Sequence, residues 1–127
     1  MDFKYENNHL VGITEFSELH ASPNSSLGFK PFELMLTSLV TCSGSLLVNL
    51  LKKKRIAFRS LYFSAEAERN SEKANRIVSV AITANVEFEK MILDDTLRKI
   101  EELIVNNCGM IQTIIGSVDV SFTIRDK

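Results

Sequence analysis

From Leu34 to Leu51 the chain runs for eighteen residues without a charged side chain, bounded by Glu33 on one side and Lys52-Lys53-Lys54-Arg55 on the other. Pro31 suits a first helical turn, and a carboxylate at the start with cations at the end both favour the helix dipole. The segment therefore predicts one helix of about 20 residues. Its length is that of a short membrane span, but Thr37, Ser38, Thr41, Ser43, Gly44, Ser45 and Asn49 interrupt it, and a buried core helix is the better reading. Because it is apolar or small around nearly its whole circumference, it needs cover on more than one side.

What can supply that cover is written in alternation. In the first sixteen residues, Phe3 and Tyr5 alternate with Lys4 and Glu6, Asn7-Asn8 reads as a turn, and Val11, Ile13 and Glu15 form a return strand. Residues 17–30 read as a polar loop. Leu61, Phe63, Ala65 and Ala67 then alternate with polar residues, as do Val78 to Phe88 and Val118 to Ile124, each predicting a strand with one buried face. Asp94 and Asp95 open a helix with Leu97, Ile100 and Ile104 at helical spacing; Asn106-Asn107 interrupts it, and Cys108 to Ile115 predicts a second, short helix before Gly116. The order is two strands, helix, two strands, helix, short helix, strand, which is an α+β fold. One five-stranded sheet covers a single face of the central helix, so a second subunit is the natural cover for the rest.

The 127 residues fit one domain spanning 1–127. A net charge of -1 provides no field to recruit nucleic acid or a membrane surface. The start, Met-Asp-Phe-Lys-Tyr-Glu-Asn-Asn, lacks the basic head and apolar run of a secretory signal, so a cytoplasmic location is expected. There the two cysteines are expected as thiols or a redox pair rather than a permanent staple.

Cys42 lies eleven residues into the predicted helix, beyond the reach of its N-terminal partial charge. To ionise, it needs a nearby cation or donor; Thr41, Ser43 and Ser45 are candidates, and Gly44 admits close approach of another backbone. Cys108 stands at the expected start of the short helix, where free amides stabilise a thiolate. Either cysteine is equally readable as packing, and spacing alone does not bring them together. Glu33, nine residues before Cys42, sits about half a turn round and ~13 Å along an ideal helix, which suits it to anchoring the helix start. His9 and His20 with two distant cysteines show no metal-ligand spacing, no metal or cofactor is expected, and the isolated Gly28 makes no phosphate loop.

The run Gly28-Phe-Lys-Pro31-Phe-Glu33-Leu34, then Cys42 eleven residues after the proline, then Asn107-Cys108-Gly-Met-Ile-Gln-Thr-Ile and the closing strand, resembles the OsmC/Ohr family of osmotically inducible and organic-hydroperoxide-resistance proteins, and its OsmC-like branch in particular. The resemblance implies an intertwined homodimer with two long central helices between curved antiparallel sheets. It implies a thiol peroxidase acting on organic hydroperoxides, with Cys42 as peroxidatic cysteine, Cys108 as resolving cysteine and an external dithiol as reductant. Glu33 would support the site, and Phe29, Phe32 and Met110 would suit an organic substrate.

In three places the chain departs from that pattern. Phe32 stands where such reductases place a glutamate, Gly109 follows Cys108 where proline is frequent, and no arginine precedes Arg55. Without a cation a mid-helix cysteine stays a thiol near neutral pH, its ordinary pKa being about 8.5; Lys30, Arg59 or Arg76 could supply one. The alternatives to a peroxidase are a non-enzymatic dimer that binds a small apolar ligand and a structural dimer with inert thiols.

Overall fold

Asn7 and Asn8 both adopt left-handed φ, 52° and 65°, in the two-residue turn that joins β1 (Asp2–Glu6) to β2 (His9–Ile13). Asparagine tolerates that conformation and matches the twist of a tight hairpin. The structure, a computed structural model, describes residues 1–127 and divides into two units, Met1–Ser38 and Leu39–Lys127.

In the first unit β2 also pairs antiparallel with β3 (Glu18–Ala21), giving a three-stranded sheet of order β1-β2-β3. This corrects the expectation of loop over 17–30. Four residues are too few to show alternation, and the strand is defined by its partner: Leu10 faces Ala21 and Gly12 faces Leu19. The Thr14 hydroxyl closes the β2–β3 turn, donating to Ser17 O at 2.6 Å and accepting from Ser17 N at 3.0 Å. Register places Phe3, Tyr5, Leu10 and Leu19 on one face, and three of these, Phe3, Tyr5 and Leu10, are exposed. Gly28 is required by its surroundings, because a Cβ there would lie 2.7 Å from His20 O.

Helix α1 (Pro31–Lys53) starts in this unit. Its first turn is held by the Lys30 N–H donating to Glu33 Oε1 at 3.4 Å, one half of a capping box. It ends in the second unit in a Schellman motif: Ile56 N donates to Leu51 O at 2.9 Å and Arg55 N to Lys52 O at 3.1 Å. Arg55 takes the left-handed position there, φ 56°, where glycine is usual.

The second unit holds β4 (Phe58–Asn70), β5 (Arg76–Phe88), α2 (Asp94–Asn107), α3 (Gly109–Ile114) and β6 (Asp119–Asp126). The sheet order is β4-β5-β6, so there are six strands in two sheets rather than five in one. β4 and β5 form a long antiparallel pair, but β5 and β6 run parallel, which corrects the expectation of purely antiparallel sheets. The connection explains it: β6 is reached through α2 and α3, and such a crossover returns the chain in the same direction.

Alternation holds across all three strands. Phe63 is opposite Ala84 and Ala65 opposite Ile82, which in turn faces Phe122. The Phe63 and Phe122 rings meet across β5 at 6.5 Å, a distance suited to a tilted aromatic pair. Leu39, Ser43, Gly44, Leu47 and Leu51 form the buried stripe of α1, and Leu97, Ile100 and Ile104 that of α2. Full burial of each large aliphatic side chain contributes about 1.5–3 kcal/mol. Gly44 is pressed by a side chain, not by the backbone expected: a Cβ there would lie 2.9 Å from Phe63 Cζ. At the β6 edge, Ile124 has both backbone groups occupied, its N–H by Glu101 Oε2 at 2.7 Å and its carbonyl by Arg98 Nη2 at 3.0 Å.

α1 is long and apolar enough to cross a membrane by length and composition, and only 28% of that window is buried. Its uncovered side opens on a groove of about 500 Å³ lined by Val40, Thr41, Gly44, Ser45, Val48, Asn49 and Phe63.

Candidate functional site

Cys42 and Cys108 are both free thiols, the first half-buried and the second 1% exposed. The fold brings them together in the second unit. Cys42 sits midway along α1, and Cys108 is the hinge between α2 and α3, closing one helix and opening the next with extended geometry (φ −75°, ψ 114°). The expected break at Asn106-Asn107 falls one residue later, because helix α2 continues through Asn107.

The corner at Cys108 is fixed by several bonds. Cys108 N donates to Ile104 O at 2.8 Å and Gln112 N to Cys108 O at 2.9 Å. The Gln112 side chain crosses back to α2, its Nε2 donating to Val105 O at 2.7 Å. That carbonyl is among the last four of α2, which have no partner within the helix. Ile111, fully buried, anchors α3 from below.

This corner aims backbone N–H groups at Cys42. The Met110 amide first and the Cys108 thiol next, with a smaller part from the Gly109 amide, hold the Cys42 pKa below the ordinary thiol value, against the partial burial that raises it. Cys108 is pushed the other way: burial comes first, and proximity to Cys42 adds to it, against amides of Ile111 and Met110 that act in the opposite sense. One thiol is thus prepared to ionise and its neighbour to stay protonated and donate.

Sequence reasoning had given the short-helix amides to Cys108, and those of Ile111 and Met110 do act on it; that the amides of Met110 and Gly109 also act on Cys42 was not foreseen. No signal in the chain marks their direction, since it depends on where α1 lies against the α2–α3 corner. Ser43 does not serve as a donor to Cys42, because its hydroxyl donates to Leu39 O at 2.7 Å within α1. Arg59 pairs with Glu87 at 3.6 Å and Arg76 donates to Ser117 O at 2.9 Å, so two of the three expected sources of charge are engaged elsewhere.

Met110 contributes its amide and is itself 37% exposed. Phe29, Phe32, Glu33 and Lys30 belong to the first unit. There Phe29 is 61% exposed and closes the 22–29 loop, its N–H donating to His20 O at 2.9 Å and its carbonyl accepting from Ser22 N at 3.0 Å. The same unit holds a contact absent from the sequence reading: His9 Nε2 and His20 Nδ1 lie 2.7 Å apart, with His9 Nδ1 on Asn7 O. It could not be foreseen without β3, which carries His20.

With this geometry in view, comparison with known proteins is decisive at the level of family. A family model described as OsmC-like protein matches residues 22–123. The chain belongs to the OsmC-like family. No curated protein matches it by sequence, whereas solved structures match it over almost its whole length. A hypothetical protein from Aquifex aeolicus superposes with a TM-score of 0.86 at 19% identity, covering 99% of this chain and 93% of that one. An OsmC-like protein from Mycoplasma pneumoniae gives 0.78 at 12% identity, with 99% and 94% covered. An organic hydroperoxide resistance protein from Elizabethkingia anophelis gives 0.73 at 13% identity, with 97% and 92% covered. At such identities the likeness establishes the OsmC-like fold and leaves the chemistry to the residues.

Proposed function

We propose that this OsmC-like protein is a cytoplasmic, dimeric, cysteine-based peroxidase that reduces organic hydroperoxides. The observation that carries the reading is the adjacency of two free thiols, Cys42 half-buried and Cys108 buried, and the pKa directions agree with it, lowered for Cys42 and raised for Cys108. A peroxidatic centre needs an accessible thiolate with a protonated thiol in reach.

The Cys42 thiolate attacks the distal oxygen of ROOH and the O–O bond breaks. The products are Cys42 sulfenic acid and an alkoxide that takes a proton to leave as ROH. Cys108, as thiolate, then displaces hydroxide from the Cys42 sulfur; water leaves and a disulfide joins the two. An external dithiol restores both thiols by exchange. Met110, an exposed apolar residue whose backbone adjoins Cys42, would meet the organic group R.

The dimer is supported by the two apolar surfaces left open, the groove along α1 and the Phe3, Tyr5, Leu10 face of the first sheet. A second copy provides cover of matching character for both.

The test is a count of free thiols before and after one equivalent of cumene hydroperoxide. Two thiols should vanish, Cys42→Ser should abolish the loss, and Cys108→Ser should leave a trappable sulfenic acid on Cys42. Two thiols surviving prolonged exposure would overturn the peroxidase reading.

A further inference from the structure

His9 and His20 stand in a row of polar atoms that has three gaps and, with both rings neutral, two N–H protons to fill them. The row runs from Asn7 O to His9 Nδ1 at 3.0 Å, from His9 Nε2 to His20 Nδ1 at 2.7 Å, and from His20 Nε2 to Glu18 Oε2 at 3.7 Å. Both ends, a carbonyl and a carboxylate, can only accept. The carbonyl fixes the His9 proton on Nδ1, so Nε2 presents a lone pair to His20. If His20 is protonated on Nδ1, its bare Nε2 faces the Glu18 carboxylate. If it is protonated on Nε2, two lone pairs face each other at hydrogen-bond distance. In either tautomer one gap lacks a positive charge.

The first sheet builds this row. Val11 faces His20 in the β2–β3 register, and His9, two residues before Val11, shares its side of the sheet, as does Glu18 two residues before His20. Glu6 is directly opposite His9 on β1. Lys4 Nζ lies 3.3 Å from Glu6 Oε1 and 3.4 Å from Glu18 Oε1, so one cation stands against two carboxylates and the surface favours a further positive charge. His9 is half-buried and His20 exposed, so the pair is reached from solvent. Eleven positions apart along the chain, the two histidines carry no ligand spacing of their own; β3 creates it.

We propose that His9 Nε2 and His20 Nδ1 together bind a divalent transition-metal ion of the zinc, nickel and copper class, between imidazoles whose outer N–H groups are anchored on Asn7 O and Glu18. The ion fills the middle gap and both protons turn outward, the arrangement in which ligating histidines are ordinarily held. Imidazole suits such ions, whereas magnesium and calcium require oxygen ligands. Metal–nitrogen bonds of about 2.0–2.1 Å, at an angle of about 90–110° at the metal, set the two nitrogens about 2.9–3.3 Å apart. The pair has only to open by a few tenths of an ångström. No group of three or more His, Cys, Asp and Glu side chains is placed to hold a metal, so the chain supplies two ligands and water completes the coordination. The site lies wholly in the first unit and does not rest on the peroxidase reading.

The test is calorimetric titration of zinc chloride, near neutral pH, into untagged protein carrying Cys42→Ser and Cys108→Ser, which removes the thiols as competing ligands. This chain should bind one ion that excess magnesium does not displace, and adding His9→Gln or His20→Gln should remove saturable binding. Glu18→Gln should weaken it about tenfold through loss of the His20 anchor. Absence of zinc binding in the cysteine-free chain, or undiminished binding in the histidine variants, overturns the proposal; an unchanged affinity in Glu18→Gln overturns the anchored arrangement. Should the cysteine-free chain not fold, nitrogen-15 NMR of the two wild-type imidazoles, the only two in the chain, reads the same contact. Zinc should shift His9 Nε2 and His20 Nδ1 and leave the outer nitrogens protonated. Rings that respond to pH and ignore zinc would assign the middle gap to a proton alone and overturn the metal site.

Discussion

The Cys108 thiol lies beside the sulfur of Cys42 as a donor in reach, and its presence there favours ionisation of the more accessible cysteine. The two roles are complementary because burial opposes charge on Cys108 while amides compensate for it on Cys42.

Deleting that donor should raise the Cys42 pKa. In Cys108→Ala the alkylation midpoint of Cys42 should move up, whereas Cys108→Ser, which keeps an O–H donor, should hold it near the wild-type position. The two profiles coinciding would show that the thiol contributes nothing to ionisation.

The paired shifts also set a pH dependence of stability. A lowered Cys42 contributes stability above the unfolded thiol range, and that contribution is lost as pH falls through its folded value. A raised Cys108 contributes in the opposite sense: its stabilisation is present below the unfolded range and is lost as pH rises through its folded value. Between neutral pH and pH 10, urea titrations of Cys108→Ala should show less loss of stability than wild type, and those of Cys42→Ala more.

Gln112→Ala should free the α2–α3 corner. Losing one hydrogen bond to an otherwise unpartnered carbonyl costs about 1 kcal/mol, visible as a lower denaturation midpoint. As Gln112 touches neither sulfur, its second signature is a raised Cys42 midpoint by alkylation; a stability loss without that shift would mark Gln112 as purely structural.

Arg55→Gly should stabilise the protein. A non-glycine residue in the left-handed cap position costs about 1 kcal/mol, and relief of that size raises Tm by roughly 2–8 °C in a domain of this size. Gly28→Ala should do the reverse, since its methyl meets His20 backbone rather than a side chain that could move; a cost of about 1–3 kcal/mol is expected.

Val48→Glu places a charge in the groove along α1. If a second copy lies there, sedimentation should show a monomer where wild type shows a dimer. A dimer retained with wild-type strength would place the subunit contact elsewhere.

Much of the fold was legible because it is periodic. The uncharged run marked α1, alternation marked β4, β5 and β6, and both short-range helices followed from their apolar spacing. β3 was not legible, because Glu18–Ala21 is too short to carry a pattern and depends on β2 for its definition. Nor was the parallel sense of β5 and β6, which is set by the path through α2 and α3 rather than by either strand. At the site the two cysteines were identifiable by type. Their ionising partners were not, for a backbone N–H is the same group at every residue and only its direction in space makes it a donor to Cys42.

The hinge at Cys108 has a consequence for when the surroundings of Cys42 are assembled. Cys42 precedes its amide partners by more than sixty positions, and those partners arrive only with the crossover between β5 and β6. A nascent chain therefore exposes Cys42 first as an ordinary thiol, and its lowered pKa exists only once the long-range pairing has closed. Folding itself is the step that makes the two thiols unequal, Cys42 the more acidic and Cys108 the less.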